Sequence, residues 1–118
     1  MYVTFLASTF RTLRFGLNAA HAKGMALQVN NLLDAGAIRI DAQGRFSLDV
    51  PKTKRAVTAL TKQIMTLQAH GDYQGVQRLL ERMVVIRPEV QRVLDQLQKV
   101  PVDIAPQFVT ANTLAAQP

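Results

Sequence analysis

The sequence predicts a mainly α-helical domain with one small β-hairpin. Three observations carry this. Apolar residues recur at helical spacing over most of residues 2 to 100. One short stretch, AIRIDAQGRFSLDV, alternates apolar and polar residues around a turn. Gly, Asp and Pro stand where helices would begin or end. At 118 residues the chain is one small domain or a piece of a larger one. Hydrophobic residues make up 48%, enough for a core.

The first element comes from Phe5, Leu6, Thr9, Phe10, Leu13 and Leu17, which keep an i, i+3, i+4 rhythm. Gly16 weakens a helix by about 1 kcal/mol relative to Ala, so a break is expected near Phe15–Leu17. A second helix follows, with Met25, Val29, Leu32 and Leu33 as apolar positions and Ala22 and Ala26 as small contacts. Gly36 fits a left-handed C-cap. Ile38 and Ile40, then Phe46, Leu48 and Val50, alternate across Asp41-Ala42-Gln43-Gly44, a hairpin signature. Two strands alone are marginal, so the hairpin must pack on the helices or pair with something else.

Pro51 fits the first position of the next helix, entered through Asp49 or Val50. Its stripe is Val57, Leu60, Ile64 and Leu67, ending at His70-Gly71. Asp72 can cap a helix with Val76, Leu79, Leu80, Met83 and Val84. Pro88 and Glu89 start one with Val90, Val93, Leu94 and Leu97, which Pro101 ends. Residues 102 to 109 are expected as a strand or extended arm, and residues 110 to 118 as a flexible tail beyond a helical unit of residues 1 to 109.

Fourteen Lys and Arg against eight Asp and Glu give a net charge of +6. That permits an acidic partner or nucleic acid. The cations are spread, however, with Lys52, Lys54 and Arg55 as the tight group, which disfavours a nucleic-acid footprint. The absence of Cys excludes disulfides and thiolate metal sites and fits a reducing, cytoplasmic setting. MYVTFLASTF is too short to span a bilayer and lacks the basic start of a signal peptide, so no membrane association is expected. It reads as a helix entering a core, and a chain starting inside such a helix looks cut from a longer one.

Few residues can carry chemistry. The two histidines, His21 and His70, lie 49 positions apart with no H-E-x-x-H arrangement, and the eight acids are scattered, so no metal site is expected in this chain. No Gly-rich loop has a dinucleotide or phosphate-loop pattern. Ser8 and Ser47 have no recognisable His and acid beside them. His70 fits a helix end, where a cation meets the negative end of the dipole. Lys23 fits a solvated position, and Arg11 and Arg14 fit a solvated face or an ion pair as well as a substrate contact. His21 can be a packed helix residue or a functional one; composition does not decide between them.

The run AHAKGMALQVNNLLDAG, residues 20 to 36, resembles the dipeptidyl peptidase III family of zinc metallopeptidases. Its members carry an Ala-His pair, here Ala20-His21, and an aliphatic run ending in Leu-Leu-acid-Ala-Gly, here Leu32 to Gly36. The likeness continues through a hairpin ending in Arg45 to Asp49, the basic helix start Lys52 to Arg55, and QAHGDYQGVQRLLER. The preceding STFRTLRFG resembles the bacterial branch. The resemblance covers residues 3 to 100 and rests on the order of these motifs.

It implies a two-lobed parent enzyme that cleaves dipeptides from the N-terminus of short peptides. Zinc would be held by an H-E-x-x-G-H helix and a distant glutamate outside this chain. The chain would be a C-terminal segment carrying cleft wall but no metal site, and inactive alone. Its implied partners are the rest of the parent and the peptide substrate. His21 would contact substrate and stabilise the transition state; no other substrate-binding residue follows. Two departures stand out. Met25 occupies a position where better-known members have Arg, and residues 101 to 118 carry one formal charge, Asp103, where those members are basic. The alternative reading is a basic helical interaction module that uses Lys52 to Arg55 to bind an acidic partner or nucleic acid.

Overall fold

The computed structural model describes residues 1 to 101. Five helices and one hairpin follow in the order α1 (Tyr2–Leu13), α2 (Ala20–Asp34), β1 (Ile38–Ile40), β2 (Phe46–Leu48), α3 (Val50–Ala69), α4 (Tyr73–Met83) and α5 (Pro88–Gln96). A short 3-10 turn, Leu97–Lys99, leads to Pro101. The mainly α architecture and the hairpin are those the sequence predicts. The expected arm at residues 102 to 109 and the tail at 110 to 118 lie outside the described residues.

Most of the breaks fall at glycines, the one between α4 and α5 excepted. Gly16 has φ +80° and separates α1 from α2. Gly36, at φ +61°, donates to the Leu33 carbonyl at 2.9 Å, and Ala37 donates to the Leu32 carbonyl at 2.9 Å. This pair of bonds is the Schellman closure of a helix end, and it turns the chain straight into β1. The hairpin pairs Ile38 with Leu48 and Ile40 with Phe46. Ile38 is buried, and the Phe46 ring lies 4.8 Å from that of Phe10 in α1 at a tilt of 59°, so the hairpin packs on the helices.

Helix α2 is central. Its Ala26, Val29 and Leu32 join Leu6, Phe10 and Leu13 of α1 with Val90, Val93 and Leu94 of α5 in the main core. Its Leu27 joins Leu60, Leu79 and Met83 of α3 and α4 in a second one. Small Ala22 and Ala26 let neighbours approach closely, and both are buried.

Three expectations shift by a fraction of a turn. Helix α3 begins at Val50 rather than Pro51, because the Asp49 carboxylate caps it by accepting from the Lys52 N–H at 2.9 Å. Val50 therefore leaves the strand and is exposed. The buried side of α3 runs through Thr53, Ala56 and Leu60, with Ile64 and Leu67 half-buried, and Val57 is 48% exposed. The cause is close approach of α2: Asn31 donates from Nδ2 to the Ala56 carbonyl at 3.2 Å, which small side chains permit. Likewise α4 buries Leu79 and Met83 but not Leu80, because it packs by one narrow side. Asp72 caps α4 as expected, accepting from the Gly75 N–H at 2.8 Å.

Candidate functional site

His21 is the second residue of α2. Ala22, the next residue, is buried, which turns His21 outward, and it is exposed. It makes no hydrogen bond or ion pair among the described residues. The helix start beside it is open as well. The residue before α2, Ala19, has no side chain able to accept from the first backbone N–H groups. An exposed imidazole therefore stands next to free donors at the positive end of a helix dipole.

On the helix surface His21 heads a row that continues to Gly24, Met25 and Gln28, at spacings of three, four and seven. Gly24 and Gln28 border an apolar groove of about 580 Å³ formed by α1, α2 and α3. Phe5, Leu27, Leu60 and Ile64 give it its character. Its lining holds no His, Cys, Lys, Asp or Glu, and its character is that of a binding surface. Met25 turns the other way and packs on the main core, where its Sδ lies 3.5 Å from the Thr9 hydroxyl.

The structure does not bring the two histidines into one lining. His70 is the C-cap of α3 and borders a shallow depression on that helix's outer face. Ser47 sits in a cleft of the hairpin with Arg39, Asp41 and Arg45, where no histidine lines the surface. The Asp41 carboxylate accepts from the Arg45 and Gln43 backbone N–H groups and from Arg45 Nε, all at 2.8 to 2.9 Å. Those bonds, with the Arg45 backbone first, hold its pKa below the usual carboxylate value. It is a hairpin clasp, not a free base. Arg14 also serves structure, donating to the Val100 and Gln98 carbonyls at 2.8 and 3.4 Å.

Among the described residues no three His, Cys, Asp or Glu side chains gather as a metal site would require. The residues present thus do not fit the zinc that the family resemblance implies for the parent. No described helix is long and apolar enough to cross a membrane.

Two well-placed polar residues gave no clear signal in the sequence. Asn30 is 1% exposed and donates both amide protons, to the Met83 carbonyl at 2.8 Å and the Val85 carbonyl at 2.9 Å. The one hint was an amide at the position one turn after Ala26, on the buried face. Asp34 pairs with Arg87 across 53 residues, a contact that no local pattern announces.

No family model matches the chain. The dipeptidyl-peptidase III of Corallococcus sp. strain EGB superposes with a TM-score of 0.83 at 52% identity, over 97% of this chain and 21% of that one. The dipeptidyl-peptidase III of Caldithrix abyssi gives the same TM-score at 42% identity, over 91% of this chain and 21% of that one. Nudix hydrolase 3 of Arabidopsis thaliana is 43% identical over 116 residues, which are 97% of this chain and 15% of that protein. That name describes a different activity, and the match touches a small part of the protein that bears it. Along nearly its whole length the chain is similar in sequence and backbone to a segment of the bacterial dipeptidyl-peptidase III proteins, consistent with a fragment of a protein of that family, and it spans about a fifth of the length of those solved chains.

Proposed function

We propose that this chain is the C-terminal part of a zinc-dependent dipeptidyl peptidase, in which it forms part of the wall of the substrate cleft. The observation that carries this reading is the 52% identity at a TM-score of 0.83 over 97% of the chain. On this reading the zinc and its ligands lie in the remainder of the parent, in keeping with the lack of a metal-ligand cluster among the described residues. The chain alone is inactive, and its partners are the rest of the enzyme and a short peptide.

His21 is the residue through which the segment meets the substrate. Its exposure and its lack of a partner among the described residues leave a ring N–H available as a donor. Directed at a carbonyl oxygen that becomes negative, such a donor stabilises charge that develops in the transition state. The uncapped first turn of α2 adds a field of the same sign. No step of the metal chemistry passes through this chain.

The test is His21→Ala in the full-length enzyme, assayed on a dipeptidyl substrate. A fall in kcat/KM of about ten- to a thousandfold, carried mainly by kcat, is the loss of one transition-state donor. Unchanged kcat/KM would remove His21 from the site. A parent reading frame that encodes no H-E-x-x-G-H would remove the peptidase reading itself.

A further inference from the structure

Six glycines occur in the chain, and five have a reason within it. Gly16, Gly36, Gly44 and Gly71 take positive φ where the chain turns. Gly75, in α4, has Asp72 and, at 2.6 Å, Leu67 Cδ2 where a Cβ would stand. Gly24 has neither reason. It is the fifth residue of α2, its φ is not positive, and a Cβ built on it would meet nothing within 4 Å among the described residues. A glycine inside a helix lowers the folded-to-unfolded ratio about fourfold relative to Ala. No contact among the described residues offsets that.

Bare backbone in a helix is a place where another chain can lie close. The neighbours of Gly24 say what kind. His21 stands one turn before it and Gln28 one turn after it, all three within about 60° of one another at about 100° per residue. Gln28 gives one amide proton to the Gly24 carbonyl at 3.3 Å and makes no other hydrogen bond among the described residues. Its second N–H and its Oε1 are open, a donor beside an acceptor. His21, exposed, adds a ring N–H. A packed helix spends its backbone groups internally and would bring only side chains to this row. An extended peptide brings N–H and C=O groups that pair with such an amide. Gln28 lies about 10 Å along the axis from His21, the length of about three extended residues.

We infer that the main chain of the peptide substrate lies extended along this row, over Gly24, with one of its peptide units paired to the Gln28 amide. The inference rests on the peptidase reading and deepens it. Gly24 sets how closely the substrate backbone approaches α2, and Gln28 fixes its register. Both act on affinity and neither touches the reacting atoms. The helix gives up stability at Gly24 so that a ligand can use the space.

The experiment compares Gly24→Ala, Gly24→Leu and Gln28→Leu. In the chain alone, Gly24→Ala should raise the urea midpoint, because Ala favours the helix and its methyl group meets nothing. In the full-length enzyme, assayed on a dipeptidyl substrate, Gly24→Ala should raise KM about threefold and Gly24→Leu about tenfold or more. Gln28→Leu should raise it about fivefold, the scale of one hydrogen bond. In all three kcat should stay within about twofold, the pattern of lost ground-state binding and the opposite of that expected for His21→Ala. An active enzyme whose KM is unmoved by Gly24→Leu would overturn the inference and leave the peptidase reading standing. A full-length protein with no dipeptidyl activity would remove both. If Gly24→Ala lowers the melting temperature of the substrate-free full-length protein while stabilising the chain, the parent's own polypeptide covers Gly24 and the inference falls. If it destabilises the chain itself, the glycine has an internal role and the inference falls too.

Discussion

Arg87 grips Asp34 through both terminal guanidinium nitrogens, at 2.6 and 3.0 Å. Each partner sits at a helix end that disfavours its charge. Asp34 closes α2, where the dipole is negative, and Arg87 precedes α5, where it is positive. The pair cancels both and ties the two helices together. It also gives the acid of Leu32-Leu33-Asp34-Ala35-Gly36 a structural task.

A pH dependence follows. The Arg87 hydrogen bond holds the Asp34 carboxyl below its ordinary value of 3.8, against a smaller opposing effect of burial. The folded state thus gains stability from the carboxylate above that pH, and loses it as the pH falls through the lower folded-state value. Asp34 is half-exposed, so water screens the pair. Asp34→Asn is expected to cost about 0.5 to 1 kcal/mol at pH 7 and almost nothing near pH 2, read from urea midpoints. A difference that does not shrink on acidification would show that the pair contributes through shape, not charge.

Asn30 is a tighter constraint. Its two amide protons satisfy the Met83 and Val85 carbonyls where α4 ends, and its own Oδ1 is buried without a partner. Asn30→Asp removes both donors and faces a carboxylate with two carbonyl oxygens. A loss of about 3 kcal/mol or more at neutral pH is expected, larger than for Asn30→Ala, which leaves the carbonyls unpaired but buries no charge. Thermal unfolding that ranks Asn30→Asp above Asn30→Ala would contradict this.

Most helix limits were legible because glycines and caps act locally. Gly36 and Asp72 announce their own conformations, and the structure uses both as the sequence implies. The faces were less legible. Where two apolar residues adjoin, as Val57 does Ala56 or Leu79 does Leu80, periodicity cannot say which one a neighbouring helix covers. The close approach of α2 through Ala56 decides the first case, and that is a tertiary fact. Asn30 and Arg87 were missed for the same reason: their partners lie 53 to 55 residues away. His21 was legible as a position and not as a role, since an exposed imidazole looks alike in either reading.

Metal content offers an independent check. A tightly held zinc needs three or four protein ligands. Among the described residues no such cluster exists. Elemental analysis of the dialysed chain is therefore expected to give well under one zinc per molecule. One tightly held zinc per chain would mean that ligands converge in a way the fold does not show.

Met25 and His21 separate packing from function on a single helix row. Met25 lies one turn beyond His21, at a position where the resemblance to dipeptidyl peptidase III implies Arg. It is half-buried against the main core, with its sulfur beside the Thr9 hydroxyl. Removing its side chain opens part of a packed interface, so Met25→Ala is expected to cost about 1 to 2 kcal/mol, below the range for a fully buried Met. Met25→Arg is expected to cost about 1 kcal/mol, because the long side chain can carry its charge out to water. His21→Ala leaves no cavity and is expected to change stability by less than about 0.5 kcal/mol. In the full-length enzyme the pattern should invert: His21→Ala lowers kcat/KM, and Met25→Ala leaves it nearly unchanged at temperatures where the variant is folded. Urea denaturation of the chain and steady-state kinetics of the parent give the two readings. If His21→Ala instead destabilises the chain as much as Met25→Ala and spares activity, the imidazole is a packing group. The proposed substrate contact through α2 then falls.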